Sequence, residues 1–184
     1  MQLSFPPDVL RPVGTEQVER AHELAAKSPR DRAIVRYHAH SDLLQRMLNA
    51  LRRDTYVPVH RHVDPDKVEV FLALEGHCAV CRFDDAGALI EVAHISPEGP
   101  LRGVEIPPGT WHTVVCLSER ALLYEIIEGP YTVTNHKRQA PFSPDEGTEA
   151  AVQWMAALRA QVSAFDVPPS QQGQSAGAGP DQHR

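Results

Sequence analysis

From residue 60 to residue 128 the chain never runs far before a glycine, a proline or an acidic turn interrupts it. Apolar runs at 68–74, 77–83, 88–95, 104–106, 111–117 and 121–128 all have strand length. Glu75-Gly76, Asp84-Asp85-Ala86-Gly87, Ser96-Pro97-Glu98-Gly99-Pro100 and Pro107-Pro108-Gly109 punctuate them. Asp and Gly tolerate the backbone angles of tight returns, and proline cannot continue a regular element, so these breaks favour short strands over long helices. The series predicts an antiparallel sandwich or jelly roll.

The same stretch carries the chemistry. His60-Arg61-His62 opens it, Glu69 stands at the head of the 68–74 run, and His112 follows the Pro-x-Gly turn at 107–109. Side chains on a strand alternate faces, so His60 and His62 point the same way, roughly 6 to 7 Å apart at the backbone. That spacing suits two nitrogens, each about 2 Å from a shared metal. Glu69 shares a face with Phe71 and Ala73, where an unpaired carboxylate carries a large desolvation cost that a cation would remove; Lys67 or Arg82 is the alternative partner. A return of residues 111–116 beside the first pair brings in His112. His60, His62, Glu69 and His112 are therefore the expected ligands of one divalent ion.

These residues resemble the two cupin motifs: His60-x-His62, Glu69 and Gly76 match the first, and Gly103 with Pro107-x-Gly109-x-x-His112 matches the second. A narrower resemblance, over about residues 30 to 145, is to the WbuC family of cupin-fold metalloproteins. It rests on Gln45-Arg46-Met47-Leu48-Asn49-Ala50-Leu51, Tyr56-Val57-Pro58-Val59-His60-Arg61-His62, Gly103-Val104-Glu105-Ile106-Pro107, Gly109-Thr110-Trp111-His112-Thr113-Val114, Glu128-Gly129-Pro130-Tyr131 and Ala140-Pro141-Phe142-Ser143-Pro144. The resemblance implies a single cupin-type antiparallel β-barrel or jelly roll with N-terminal and C-terminal α-helices. It also implies a link to bacterial surface-polysaccharide gene clusters, and it makes Tyr131 a candidate catalytic residue that covers the cavity. Glu125 is the other candidate, because it interrupts the apolar run 121–128: it either supports the metal ligands or moves protons, or else it points outward to a basic partner.

The chain of 184 residues suits one domain, and 42% hydrophobic with 23% charged residues is ordinary for a globular protein. A formal net charge of −6 with no basic run argues against nucleic acid as a partner. No apolar stretch approaches the roughly 18 to 20 residues of a membrane span, and the first residues show no charged-then-apolar signal pattern, so a cytoplasmic location without membrane is expected. Three cysteines make no disulfide scaffold. In Cys78-x-x-Cys81 the two residues face opposite sides of a strand, which predicts two small core residues rather than a chelate.

Around the barrel, residues 1–14 read as a proline-rich arm, and 15–27 as a helix capped by Thr15 with Val18, Ala21, Leu24 and Ala25 on one face. Residues 1–29 thus form an N-terminal unit before a barrel at 30–142. Residues 32–40 alternate loosely as a first strand; its Arg36, Tyr37, His38 and His40 either line a cavity or face solvent. Residues 42–51 fit a helical period through Leu43, Leu44, Met47, Leu48 and Leu51, but the resemblance assigns at least their second half to a strand leading to one at 56–62. Ser143-Pro144-Asp145-Glu146 has the form of a capping box, predicting a helix from there to about 164, with Val152, Met155, Ala156, Arg159 and Val162 on one stripe. The C-terminal helical unit spans 143–165, and the Pro-, Gln-, Gly- and Ser-rich residues 166–184 are expected to be disordered.

Three imidazoles and one carboxylate leave up to two positions of an octahedral ion for water or a small-molecule ligand. Iron(II), zinc, manganese and nickel all accept such a set. The expectation is an enzyme acting on a small polar metabolite such as a sugar derivative, with isomerase-, epimerase- or dioxygenase-like chemistry. The alternative is a metal-dependent binding or sensing module without catalysis. The 68–74 strand is apolar on both faces, and its outer face needs cover from a terminal helix or from a second copy in a homodimer.

Overall fold

The computed structural model describes residues 1–6, 8–132 and 137–165. The tail expected to be disordered, 166–184, lies outside the described residues. In chain order the elements are α1 (Thr15–Ala26), β1 (Arg32–Arg36), β2 (Leu44–Arg52), β3 (His60–Arg61), β4 (Glu69–Glu75), β5 (Cys78–Phe83), β6 (Leu89–Ile95), β7 (Gly103–Ile106), β8 (Trp111–Cys116), β9 (Arg120–Glu128), β10 (Arg138–Gln139) and α2 (Glu149–Ala164). The strands form two five-stranded sheets, ordered β1-β2-β9-β4-β7 and β10-β3-β8-β5-β6, with antiparallel pairing throughout. The predicted jelly roll with a helix at each end of the described chain is the observed fold.

Each sheet turns one face inward and gives part of its outer face to a helix. The shared interior is filled by Leu51, Phe71, Ala73, Val80, Val114 and Leu123. Behind the first sheet α1 packs Ala21 and Ala25 against Val35, Leu48, Ala50 and Leu122. Behind the second, α2 packs Ala151, Met155, Leu158 and Val162 against Ala79, Cys81 and Phe83. Cys78 belongs to the interior cluster and Cys81 to the cluster under α2, so the Cys-x-x-Cys residues do face opposite ways. At Gly76, between β4 and β5, φ is +73° and a Cβ would collide with the Arg120 carbonyl, so the return demands glycine.

Three local expectations shift. Gly14, not Thr15, caps α1, and its N–H donates to Gln17 Oε1 at 3.1 Å. The strand expected at 56–62 is ladder-paired only at His60–Arg61. Upstream, Pro58 has no N–H to donate, while Val59 N–H donates to Ser143 Oγ at 2.9 Å and Val59 O accepts from Ala140 N–H. Ser143 therefore does not cap a helix. It also lies 2.9 Å from Tyr56 Oη, whose hydroxyl donates to Pro144 O at 2.7 Å. The helix starts later, with Thr148 Oγ1 accepting from Ala151 N–H. Its buried stripe is Ala151, Met155, Leu158 and Val162, and Val152 is 70% exposed.

On the outer face of β4, Leu72 and Leu74 are 41% and 37% exposed. Among the described residues, no helix is long and apolar enough to cross a membrane.

Candidate metal centre

The pairing register builds the centre. β3 and β8 are neighbours, and His60 stands directly opposite His112. Glu69, the first residue of β4, looks inward from the facing sheet, and His62 follows directly after β3. One ligand atom from each of His60, His62, Glu69 and His112 lies within 4.8 Å of the others, and all four residues are buried. The sequence-derived ligand set is brought together complete. The alternative partners of Glu69 are engaged elsewhere: Lys67 Nζ–H donates to Pro130 O at 2.9 Å, and Arg82 pairs with Glu91.

The hydrogen bonds around the rings fit a metal. His60 and His112 each donate Nδ1–H to the carbonyl two residues earlier, Pro58 O at 2.9 Å and Thr110 O at 2.8 Å. A neutral imidazole that donates from Nδ1 keeps a lone pair on Nε2, and a fixed second nitrogen is the usual support of a metal-bound histidine. His112 Nε2 is buried without a hydrogen-bond partner among the described residues, yet lies 2.9 Å from Glu69 Oε2. His62 Nε2 is 3.1 Å from the same oxygen. With its Nδ1–H committed to Thr110 O, a neutral His112 Nε2 meets the Glu69 oxygen as a second acceptor, a contact that needs positive charge between the two, as a divalent ion or a ring proton would supply.

Electrostatics point the same way. Burial pushes the His60 ring well below its ordinary pKa, helped by the charge of Lys137, which favours the neutral ligand form. Burial alone would raise Glu69, but its polar contacts to His112 and His62 outweigh that and hold it well below the usual range, ionised.

The centre sits in a cavity of about 430 Å³ between the sheets. Glu125 faces into it from β9, accepting from Asn49 Nδ2–H at 2.8 Å, and burial with the Glu69 charge pushes it up to about 8. Tyr131 lies at the lining, its ring 4.7 Å from that of His40 and its N–H donating to His40 O. Arg36 and His38 line the cavity, whereas Tyr37 turns outward to the cluster under α1. Lys67 also lines it, and so do Asn49, Arg32 and Lys137, which sequence reasoning missed. The alternation Arg32-x-Ile34-x-Arg36 was the available signal, since β1 presents all three to one face.

A family model for a domain of unknown function, DUF6016, matches residues 13–95. No curated protein matches the chain. Among solved structures, the capsular polysaccharide assembling protein CapF from Staphylococcus aureus is similar with a TM-score of 0.53 and 18% identity, over 61% of this chain and 32% of that one. CapF with the inhibitor 3-isopropenyl-tropolone gives 0.50 and 20% identity over the same shares, 61% and 32%. Oxalate decarboxylase from Bacillus subtilis gives 0.43 and 18%, over 54% and 24%. The match spans only about a third of the CapF chains, 32%. At these identities the likeness shows fold alone, and with the sheet order it establishes a cupin-type jelly roll around a buried His/Glu group that can hold a metal ion.

Proposed function

We propose that this chain is a WbuC-like, metal-dependent cupin of the cytoplasm that acts on a small polar metabolite, such as a sugar derivative of surface-polysaccharide metabolism. The observation that carries the metal reading is the buried His112 Nε2 facing Glu69 Oε2 with no hydrogen-bond partner among the described residues. The polysaccharide connection draws on the motif resemblance and on the stated role of CapF. His60, His62, Glu69 and His112 would hold the ion, which when bound supplies Lewis-acid polarisation or an activated water. Iron(II), zinc, manganese and nickel all suit these donors.

The chain's own residues define the rest of the reading. Glu125 stands beside the ligand cluster with Asn49 fixing one of its oxygens, and is placed to hold or move a proton on a bound molecule. Tyr131 bounds the cavity where a metabolite would enter. Metal-loaded protein is expected to turn over a member of a panel of sugar nucleotides and sugar phosphates, and Glu125→Gln to slow that reaction by at least about 100-fold, the lower range of general acid–base catalysis. No turnover, but a ligand-induced change in the metal's spectrum, would transfer the function to a binding or sensing module. Loss of turnover without oxygen would mark an oxygenase.

A homodimer is part of the same reading, with a second copy covering Leu72 and Leu74 on the outer face of β4. Sedimentation is expected to show a dimer that Leu72→Glu dissociates. A monomeric parent protein at micromolar concentration would remove this element.

A further inference from the structure

The cavity that holds the metal ligands also holds more positive charge than its own acids neutralise, although the whole chain carries a net charge of −6. Each lining carboxylate already has a partner. Glu146 is bound by Arg30 and Arg32, Glu69 by the histidines, Glu125 by Asn49 Nδ2–H, and Glu128 Oε2 by the Val68 N–H at 2.7 Å. Three lining cations remain. Among the described residues, Arg36, Lys67 and Lys137 have no carboxylate within 4.0 Å. Asn49 Oδ1 is buried on the same inner face, with no hydrogen-bond partner among the described residues.

The strand register places these groups along one line. Arg36 pairs with Met47 of β2, Met47 with Glu125 of β9, and Glu125 with Phe71 of β4, two residues beyond Glu69. From β1 to β4 is three strand spacings, about 14 Å at the backbone, shortened from both ends by inward-pointing side chains. A molecule of roughly sugar size bridges that gap. A guanidinium presents a planar fork that matches carboxylate and phosphate, and positive walls around a low-dielectric cleft concentrate anions.

We propose that the cavity binds a small hydroxylated anion, its carboxylate or phosphate held by Arg36 within the basic lining and a hydroxyl donating to Asn49 Oδ1. This deepens the reading of the barrel as a metabolite site, but Arg36 acts on the anion independently of the metal.

The test is a protein-observed NMR titration of metal-loaded and chelator-treated protein with gluconate, glucose 6-phosphate and glucose, run beside a manganese titration. At least one anion is expected to bind about tenfold or more tightly than glucose, and the arm that does so identifies the group. Arg36→Met is expected to weaken that anion about tenfold, the scale of one hydrogen bond to a charged group, while Arg36→Lys recovers part of the loss. Raising salt should weaken the anion and leave glucose unchanged, which checks the parent protein should the variant misfold. Anion preference below threefold in both forms, or a loss below threefold in Arg36→Met, overturns the proposal. Manganese binding without anion preference would leave the metal reading standing; Arg36-dependent anion binding without manganese would remove the metal reading and keep this one.

Discussion

His112→Ala is expected to weaken metal binding by more than about 100-fold. Changing an outer hydrogen-bond partner of a ligand already costs about 10- to 100-fold, and loss of the ligand itself must exceed that. Among the four residues His112 is the clearest case: it is 2% exposed, its Nδ1–H is fixed by Thr110 O, and its Nε2 lacks a hydrogen-bond partner among the described residues. Competition against a chromophoric chelator reads the affinity directly. The control is His94→Ala on β6, whose ring lies against that of His77 just before β5, and it should leave the affinity unchanged. Equal affinities for both variants would show that the histidine cluster does not hold the ion.

The second large effect concerns the frame that brings the ligands together. Leu123 is fully buried on β9, the strand that pairs with both β2 and β4, and it helps fill the interior beside the cavity. Leu123→Ala is expected to cost about 3 kcal/mol through lost burial and the cavity left behind. For a chain of this size that lowers Tm by roughly 6 to 12 °C. Leu43→Ala, at a residue 79% exposed, should change stability by no more than about 0.5 kcal/mol. Thermal unfolding followed by circular dichroism measures both, and similar shifts would contradict the placement of β9 at the centre of its sheet.

The four-residue cluster was legible because its signals are local. His60 and His62 are two apart, and Glu69 is a charge inside an apolar run, so each declares its face without knowledge of the fold. The features that were not legible depend on what lies across the molecule. Residues 42–51 imitate a helical period because β2 is covered on both faces, by α1 behind Leu48 and Ala50 and by the interior at Met47 and Leu51. Ser143-Pro144 has the form of a helix start, yet its hydroxyl is taken by Val59 N–H and Tyr56, more than eighty residues away in sequence. Arg36 reads more readily as part of a solvated edge; only the second sheet across from it turns that edge into the wall of a cavity.

Elemental analysis of the protein purified without added metal, beside His60→Ala and Glu69→Ala, tests the metal centre most directly. One divalent ion per chain is expected in the parent protein, and its loss in both variants. A parent protein without metal, or a metal content that neither substitution changes, would contradict it.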